Sequence, residues 1–169
     1  MDLLRRQELG FVFQSFNLLH TLTVKENMVL PLALDGMNVK RINKRVESIS
    51  KKLGINEILN KRTAIARALI HSPKLVFADE PTGNLDSKAS QDVMEILILL
   101  NKEEKATMMV VTHDPVAASY CDRIIFIKDG QLFNEVNCKD DRPLFYKKIM
   151  DSLSMLAGNK HDFSTTCTQ

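Results

Sequence analysis

The sequence predicts an α/β fold built on an open parallel sheet, and three observations predict it. Leu75, Val76, Phe77 and Ala78 form an apolar run with β-branched and aromatic content, which suits a strand buried on both faces. Two carboxylates, Asp79 and Glu80, follow at once, before Pro81 and Gly83 turn the chain. An open α/β sheet presents charge to its ligands in this way, at the carboxyl ends of its strands. The run Ala106 to Thr112 then reads as a second buried strand, and it delivers His113 at its carboxyl end. On residue type alone, the two acids could be a solvated strand end and the histidine a satisfied structural residue.

The remaining elements follow in order. Leu9 to Phe13 reads as a strand that Gln14 ends. Thr23 can cap a helix starting at Val24, with Glu26 in its first turn to complement the dipole. Between Asn38 and Leu53 the apolar residues Ile42, Val46, Ile49 and Leu53 fall at helical spacing. Lysines and arginines occupy the other side, read as a solvated face, and Gly54 suits the C-cap. Asp86 or Ser87 caps a helix to about Lys102, with Val93, Ile96, Leu97 and Leu100 inward. Asp114 and Pro115 start a short helix. Arg123 to Lys128 and Gln131 to Val136 are strands around Asp129-Gly130, a strong hairpin turn. Leu144 to Leu156 is amphipathic, with Phe145, Ile149, Leu153 and Leu156 on one face and Gly158 at its end.

Composition narrows the function classes. At 169 residues with 44% apolar content, one domain with a sizeable core is expected. The net charge of +2, from 23 basic and 21 acidic residues, implies no polyanion partner. The basic residues are also dispersed, which argues against nucleic acid. Cys121, Cys138 and Cys167 are widely spaced without a CxxC pair, as expected of reduced, incidental thiols. The longest uncharged run, Leu9 to Val24, is too short and too polar to span a bilayer. Arg5-Arg6 is followed by Glu8 with no small-residue cleavage site, so export is not expected and the chain is read as cytoplasmic.

Three words carry a specific resemblance. Asp-Glu-Pro-Thr-Gly-Asn-Leu-Asp after the Leu75 strand resembles the Walker B strand and D-loop of the ABC ATPase family. That resemblance implies that Asp79 holds Mg²⁺ through water, that Glu80 polarises the attacking water, and that Asp86 reaches across a dimer interface. Gly-Phe-Val-Phe-Gln-Ser-Phe-Asn-Leu-Leu, followed by Leu-Thr-Val-Lys-Glu-Asn, resembles the Q-loop and the start of the helical subdomain. The branch it resembles serves lipoprotein release, macrolide export and peptide-antibiotic export. There Gln14 would touch Mg²⁺ and the water. Phe16, Leu18, Leu19 and Met28 would form either a surface for the membrane partner or part of the core. Val-Val-Thr-His-Asp-Pro matches the family's H-loop, in which His113 would contact the γ-phosphate of ATP. Arg-Thr-Ala-Ile-Ala-Arg-Ala-Leu resembles the helix that follows the family signature. The stretch from Phe145 to Gly158 resembles the tail of bacitracin-type export ATPases.

Two family words do not occur in these 169 residues. No Ser-Gly-Gly-Gln signature precedes Thr63, and no two glycines are adjacent. A phosphate-cradling G-x-x-x-x-G-K-[ST] loop needs a glycine followed by lysine, and none of the six glycines is. The resemblance therefore implies an N-terminally truncated P-loop NTPase-type parallel sheet with an inserted helical subdomain. The partial ABC ATPase domain would cover residues 1–158, with the helical subdomain about 16–72, an amphipathic helix about 143–157, and a disordered tail 159–169. The phosphate-loop strand of the family is expected beside Leu75–Ala78 and Met108–Val111. The implied function is the ATP-binding and ATP-hydrolysing subunit of a membrane exporter of antimicrobial peptides or related amphiphiles. ATP and Mg²⁺ would be its cofactors. A transmembrane permease subunit and a second ABC ATPase subunit, forming a homodimer, would be its partners at the inner face of the cell membrane. The alternative is a non-catalytic remnant or partner-binding fragment, unable to bind ATP alone. An ABC ATPase of DNA repair is set aside, because the stretch from Gln14 to Asp79 has no room for long heptad insertions.

Overall fold

A computed structural model describes residues 8–53, 60–138 and 141–158. Gly54, Ile58, the polar tail from Asn159 and Cys167 lie outside the described residues. The chain divides after Thr112 into two compact units.

In the first unit β1 (Leu9–Val12), β2 (Leu75–Asp79) and β3 (Thr107–Val111) form a parallel sheet in the order β1-β2-β3. Leu9 pairs with Leu75 and Val12 with Ala78; Leu75 pairs with Thr107 and Asp79 with Val111. Parallel neighbours need long crossovers. Three helices supply the first crossover, α1 (Val24–Leu34), α2 (Val39–Leu53) and α3 (Asn60–Leu69), and α4 (Ser87–Glu104) supplies the second.

The capping residues work as their types dictate. Thr23 Oγ1 accepts from the Glu26 amide at 3.3 Å, and Glu26 Oε2 accepts from the Thr23 amide at 2.8 Å, a reciprocal box that closes the start of α1. Asp86 caps α4, its Oδ1 accepting from the Ala89 amide at 2.8 Å. On α2 the expected stripe of Ile42, Val46, Ile49 and Leu53 is buried. From Thr63 to Leu69 every residue of α3 is buried except the half-buried Arg67. Gly10 lets β1 lie directly on α3, since a β-carbon there would overlap the Ala68 carbonyl oxygen and stand 3.2 Å from Pro73 Cγ.

Three expectations about the strands are corrected. Strand β2 is not closed on both faces: Val76 and Ala78 are buried, whereas Leu75 and Phe77 on the other face are half-buried. Strand β3, expected to be buried, exposes Met109 by 50% and Val111 by 57%. An apolar run reports a strand but not how many layers cover it. The phosphate-loop strand cannot lie beside Leu75–Ala78 within this sheet either, because β1 and β3 occupy both edges of β2. Only the outer edges of β1 and β3 can take another strand.

In the second unit Asp114 caps α5 (Pro115–Ala118), accepting from the Val116 amide at 2.9 Å, with Pro115 at its first position. Strands β4 (Arg123–Lys128) and β5 (Gln131–Asn137) form an antiparallel hairpin. Its turn residues Asp129 and Gly130 have φ of 51° and 76°, the positive pair that matches strand twist. Helix α6 (Arg142–Gly158) lays Phe145 and Ile149 against Phe126 and Val136 to make a small core. Cys121 and Cys138 are free thiols, and burial pushes the Cys121 thiol above its ordinary range. No helix among the described residues is long and apolar enough to cross a membrane.

Candidate functional site at the carboxyl end of the sheet

Sheet register assembles the site. The pairing of β1 with β2 ends at Val12 with Ala78, so Gln14 follows β1 at the end of the sheet where Glu80 follows β2. The pairing of β2 with β3 ends at Asp79 with Val111, so Thr112 follows β3 at that same end. The hydrogen bonds agree: the Glu80 amide donates to the Val111 carbonyl at 2.9 Å, and Thr112 Oγ1 donates to Glu80 Oε2 at 3.1 Å.

Glu80 has φ of 45°, a left-handed conformation that costs a side-chain-bearing residue about 1–2 kcal/mol. Its carbonyl accepts from the Gly83 amide at 3.0 Å, closing a tight turn through the buried Pro81 and Thr82. Gln14 lies on that turn. A β-carbon at Gly83 would stand 3.0 Å from Gln14 Nε2 and 3.1 Å from its Cγ, so the glutamine packs closely on this glycine. Asp79, exposed at the end of β2, shares the sheet face of Phe77.

Among the predicted residues, Gln14, Asp79 and Glu80 therefore come together. Asp86 stands three residues beyond Gly83, exposed, with one carboxylate oxygen committed to capping α4. His113 opens the second unit. The oxygen donors of Asp79, Glu80 and Gln14 suit Mg²⁺, a hard cation that takes one or two carboxylates and completes its shell with water and phosphate. No cluster of three or more His, Cys, Asp or Glu able to hold a metal occurs among the described residues.

Sequence reasoning missed the devices that fix the loop after Gln14. Arg67 of α3 donates from Nη1 to the Asn17 carbonyl at 2.5 Å and from Nη2 to the Phe16 carbonyl at 2.8 Å. These are consecutive left-handed residues, with φ of 61° at Phe16 and 47° at Asn17. Burial pulls the Arg67 guanidinium below its usual range. Further on, the buried Asn27 accepts from the Leu19 amide at 2.8 Å and donates to the carbonyls of Leu19, Leu22 and Thr23. The signal for Arg67 was a single charge within an otherwise buried stretch. Of the four candidate partner-surface residues, Met28 belongs to the core at 1% exposure, Phe16 and Leu18 are half-buried, and Leu19 is 48% exposed. Beside this loop an apolar cavity of about 350 Å³ is lined by Phe11, Phe13, Leu30, Pro31 and Leu34, with Arg67 at its wall.

Residues 2–83 match the family model described as ABC transporter. The chain is 55% identical over 172 residues to the ABC transporter ATP-binding protein YxdL of Bacillus subtilis strain 168, covering 95% of this chain and 67% of that protein. It is 46% identical to the bacitracin export ATP-binding protein BceA of Halalkalibacterium halodurans, over 94% of this chain and 67% of that one. Its fold is similar to the dimeric post-hydrolysis structure of the ATP-binding cassette MJ0796 bound to ADP and Pi. The TM-score is 0.66 at 38% identity, over 79% of this chain and 64% of that chain. The chain thus spans about two thirds of the length of the relatives it matches.

Proposed function

Because this chain belongs to the ABC transporter ATP-binding family, we propose that it carries the Walker B, Q-loop and H-loop part of an ATP-hydrolysing subunit that powers a membrane exporter. The observation that carries the reading is Gln14 seated on Gly83, in the turn that the Glu80 carbonyl closes, with Thr112 Oγ1 on the Glu80 carboxylate. Asp79 and Gln14 would hold Mg²⁺, which when bound neutralises charge on the phosphates. Glu80 is the general base. Its backbone is held by Val111 and its carboxylate by Thr112, so it accepts a proton from water with little reorganisation. His113 contacts the γ-phosphate, and Asp86 faces a second copy of the subunit. The dimer of MJ0796 supports the homodimer. The similarity to a bacitracin export protein supports antimicrobial peptides as cargo; a permease partner and a place at the inner face of the membrane belong to the same proposal.

A second reading concerns these 169 residues by themselves. They contain no glycine followed by lysine, hence no phosphate-cradling loop. Charge-assisted hydrogen bonds contribute about 1.5–3 kcal/mol each. Without several of them affinity falls by at least about 6 kcal/mol, from micromolar to weaker than about 10 mM. Titration calorimetry of this chain with MgATP is expected to show no binding. A form extended by a phosphate loop at its start, with Ser-Gly-Gly-Gln before Thr63, is expected to hydrolyse ATP. In that form Glu80→Gln lowers turnover by about 10²–10⁴-fold while ATP still binds. Asp79→Asn weakens Mg²⁺-dependent binding, and His113→Ala slows turnover. Hydrolysis by Glu80→Gln at the parent rate would show that the base has been misassigned.

A further inference from the structure

Gln14 lies inside a turn. The Phe16 amide donates to the Phe13 carbonyl at 3.0 Å, which makes Gln14 and Ser15 the two central residues of a four-residue turn. The Asn17 amide donates to the Ser15 carbonyl at 2.7 Å, closing a three-residue turn centred on Phe16, whose φ is 61°. That is the rare and strained form of such a turn. Asn17, at 47°, follows in the same left-handed region. Neither residue is glycine, so both conformations persist only where the surroundings hold them.

Arg67 of α3 supplies the hold. Its guanidinium donates to the Phe16 and Asn17 carbonyls at 2.8 and 2.5 Å. A rigid fork of donors can take two successive carbonyls, as the single ammonium of lysine cannot. The other residues from Thr63 to Leu69 are buried, and among the described residues no carboxylate pairs with this guanidinium. A half-buried charge without a counter-ion is unfavourable, and the two carbonyls are what this one meets.

The turn also decides where the Gln14 side chain goes. Gln14 is exposed, so its backbone rather than burial sets its direction. That direction leads onto Gly83, where an added β-carbon would stand 3.0 Å from Gln14 Nε2 and 3.2 Å from the Glu80 carbonyl oxygen.

We propose that Arg67 is a positioning residue: by gripping Phe16 and Asn17 it fixes the turn that contains Gln14, keeps the Gln14 side chain on Gly83 beside Glu80, and so ties the site at the carboxyl end of the sheet to α3. Its effect on turnover rests on the reading of Gln14 as a Mg²⁺ contact; its effect on where Gln14 lies does not.

The test compares the parent with Arg67→Met, which keeps an apolar stem and removes the donors, and with Arg67→Lys, which restores a single cation. In this chain, NMR measures the nuclear Overhauser contact between the Gln14 side-chain amide and the Gly83 α-protons. The contact is expected in the parent, lost in Arg67→Met and partly regained in Arg67→Lys, while the cross-strand contacts of β1 with β2 stay unchanged. In the form extended by a phosphate loop and a Ser-Gly-Gly-Gln word, Arg67→Met is expected to lower kcat by about 10–100-fold. Because Arg67 acts through Gln14, Arg67→Met combined with Gln14→Ala is expected to be no slower than Gln14→Ala alone; a merely structural role would multiply the two losses. A Gln14–Gly83 contact that survives in Arg67→Met, or losses that multiply, would overturn the assignment. Gln14→Ala turning over at the parent rate would instead remove Gln14 from the chemistry, and the contact measured in this chain would still decide whether Arg67 positions it.

Discussion

Replacing Arg67 with alanine removes a guanidinium that holds two successive carbonyls, those of Phe16 and Asn17, from a helix fifty residues away in the chain. A hydrogen bond from a charged donor contributes about 1.5–3 kcal/mol when buried. Arg67 is only half-buried and Asn17 is exposed, so water replaces part of what is lost, and about 2 kcal/mol for the pair is the working figure. Phe16 and Asn17 both sit in the left-handed region, so the loop has strain to release once the clamp is gone. The consequence is local opening of the segment that follows Gln14. Its reporters are the amides of Phe16 and Asn17, which donate to Phe13 and Ser15 at 3.0 and 2.7 Å. Native-state hydrogen exchange is expected to show their protection falling by roughly 30-fold, the equivalent of 2 kcal/mol. The amides of β2 should be unchanged. Arg67→Met, which keeps much of the apolar stem, should behave as alanine does; Arg67→Lys should recover part of the protection. Equal protection in parent and alanine variant would refute the clamp.

Two further changes test the packing beneath the site. Gly10→Ala drives a methyl group into the Ala68 carbonyl oxygen; backbone cannot rotate away as a side chain can, so a loss of about 1–3 kcal/mol is expected in urea unfolding, and an unchanged midpoint would show that β1 does not rest on α3. At Glu104 burial pushes the carboxyl up, but hydrogen bonds from Arg45 and Lys52 outweigh it and hold the group below its ordinary 4.5. A depressed folded value gives stability that is present above the unfolded value and lost as pH falls through the folded one. Glu104→Gln should therefore melt below the parent at neutral pH, and the gap should close once the pH drops under that depressed value; a pH-independent gap would remove the ion pair from the explanation.

How much of this could be read from the residues depends on whether the signal is local. The cap at Thr23, the cap at Asp86, the stripe on α2 and the Asp129-Gly130 turn all rest on residues within a few positions of one another, and the structure shows each of them. The coverage of β3 and the clamp by Arg67 depend on what packs from a distance, which no run of residue types records. The site lies between these cases. Its members could be named because each ends a strand or begins a turn, yet nothing in the spacing of Gln14, Glu80 and Thr112 says that they meet. Register decides that. With Leu9 against Leu75 and Leu75 against Thr107, the three strands end together and bring the three residues to one end of the sheet. A slip of one residue between β1 and β2 would turn every β1 side chain to the other face. It would bury Phe11 where Gly10 now admits the Ala68 carbonyl, which the close packing of α3 forbids. Gly10, four residues before Gln14 and the first residue of the Q-loop-like word, is thus the residue that fixes where β1, and with it Gln14, lies against β2.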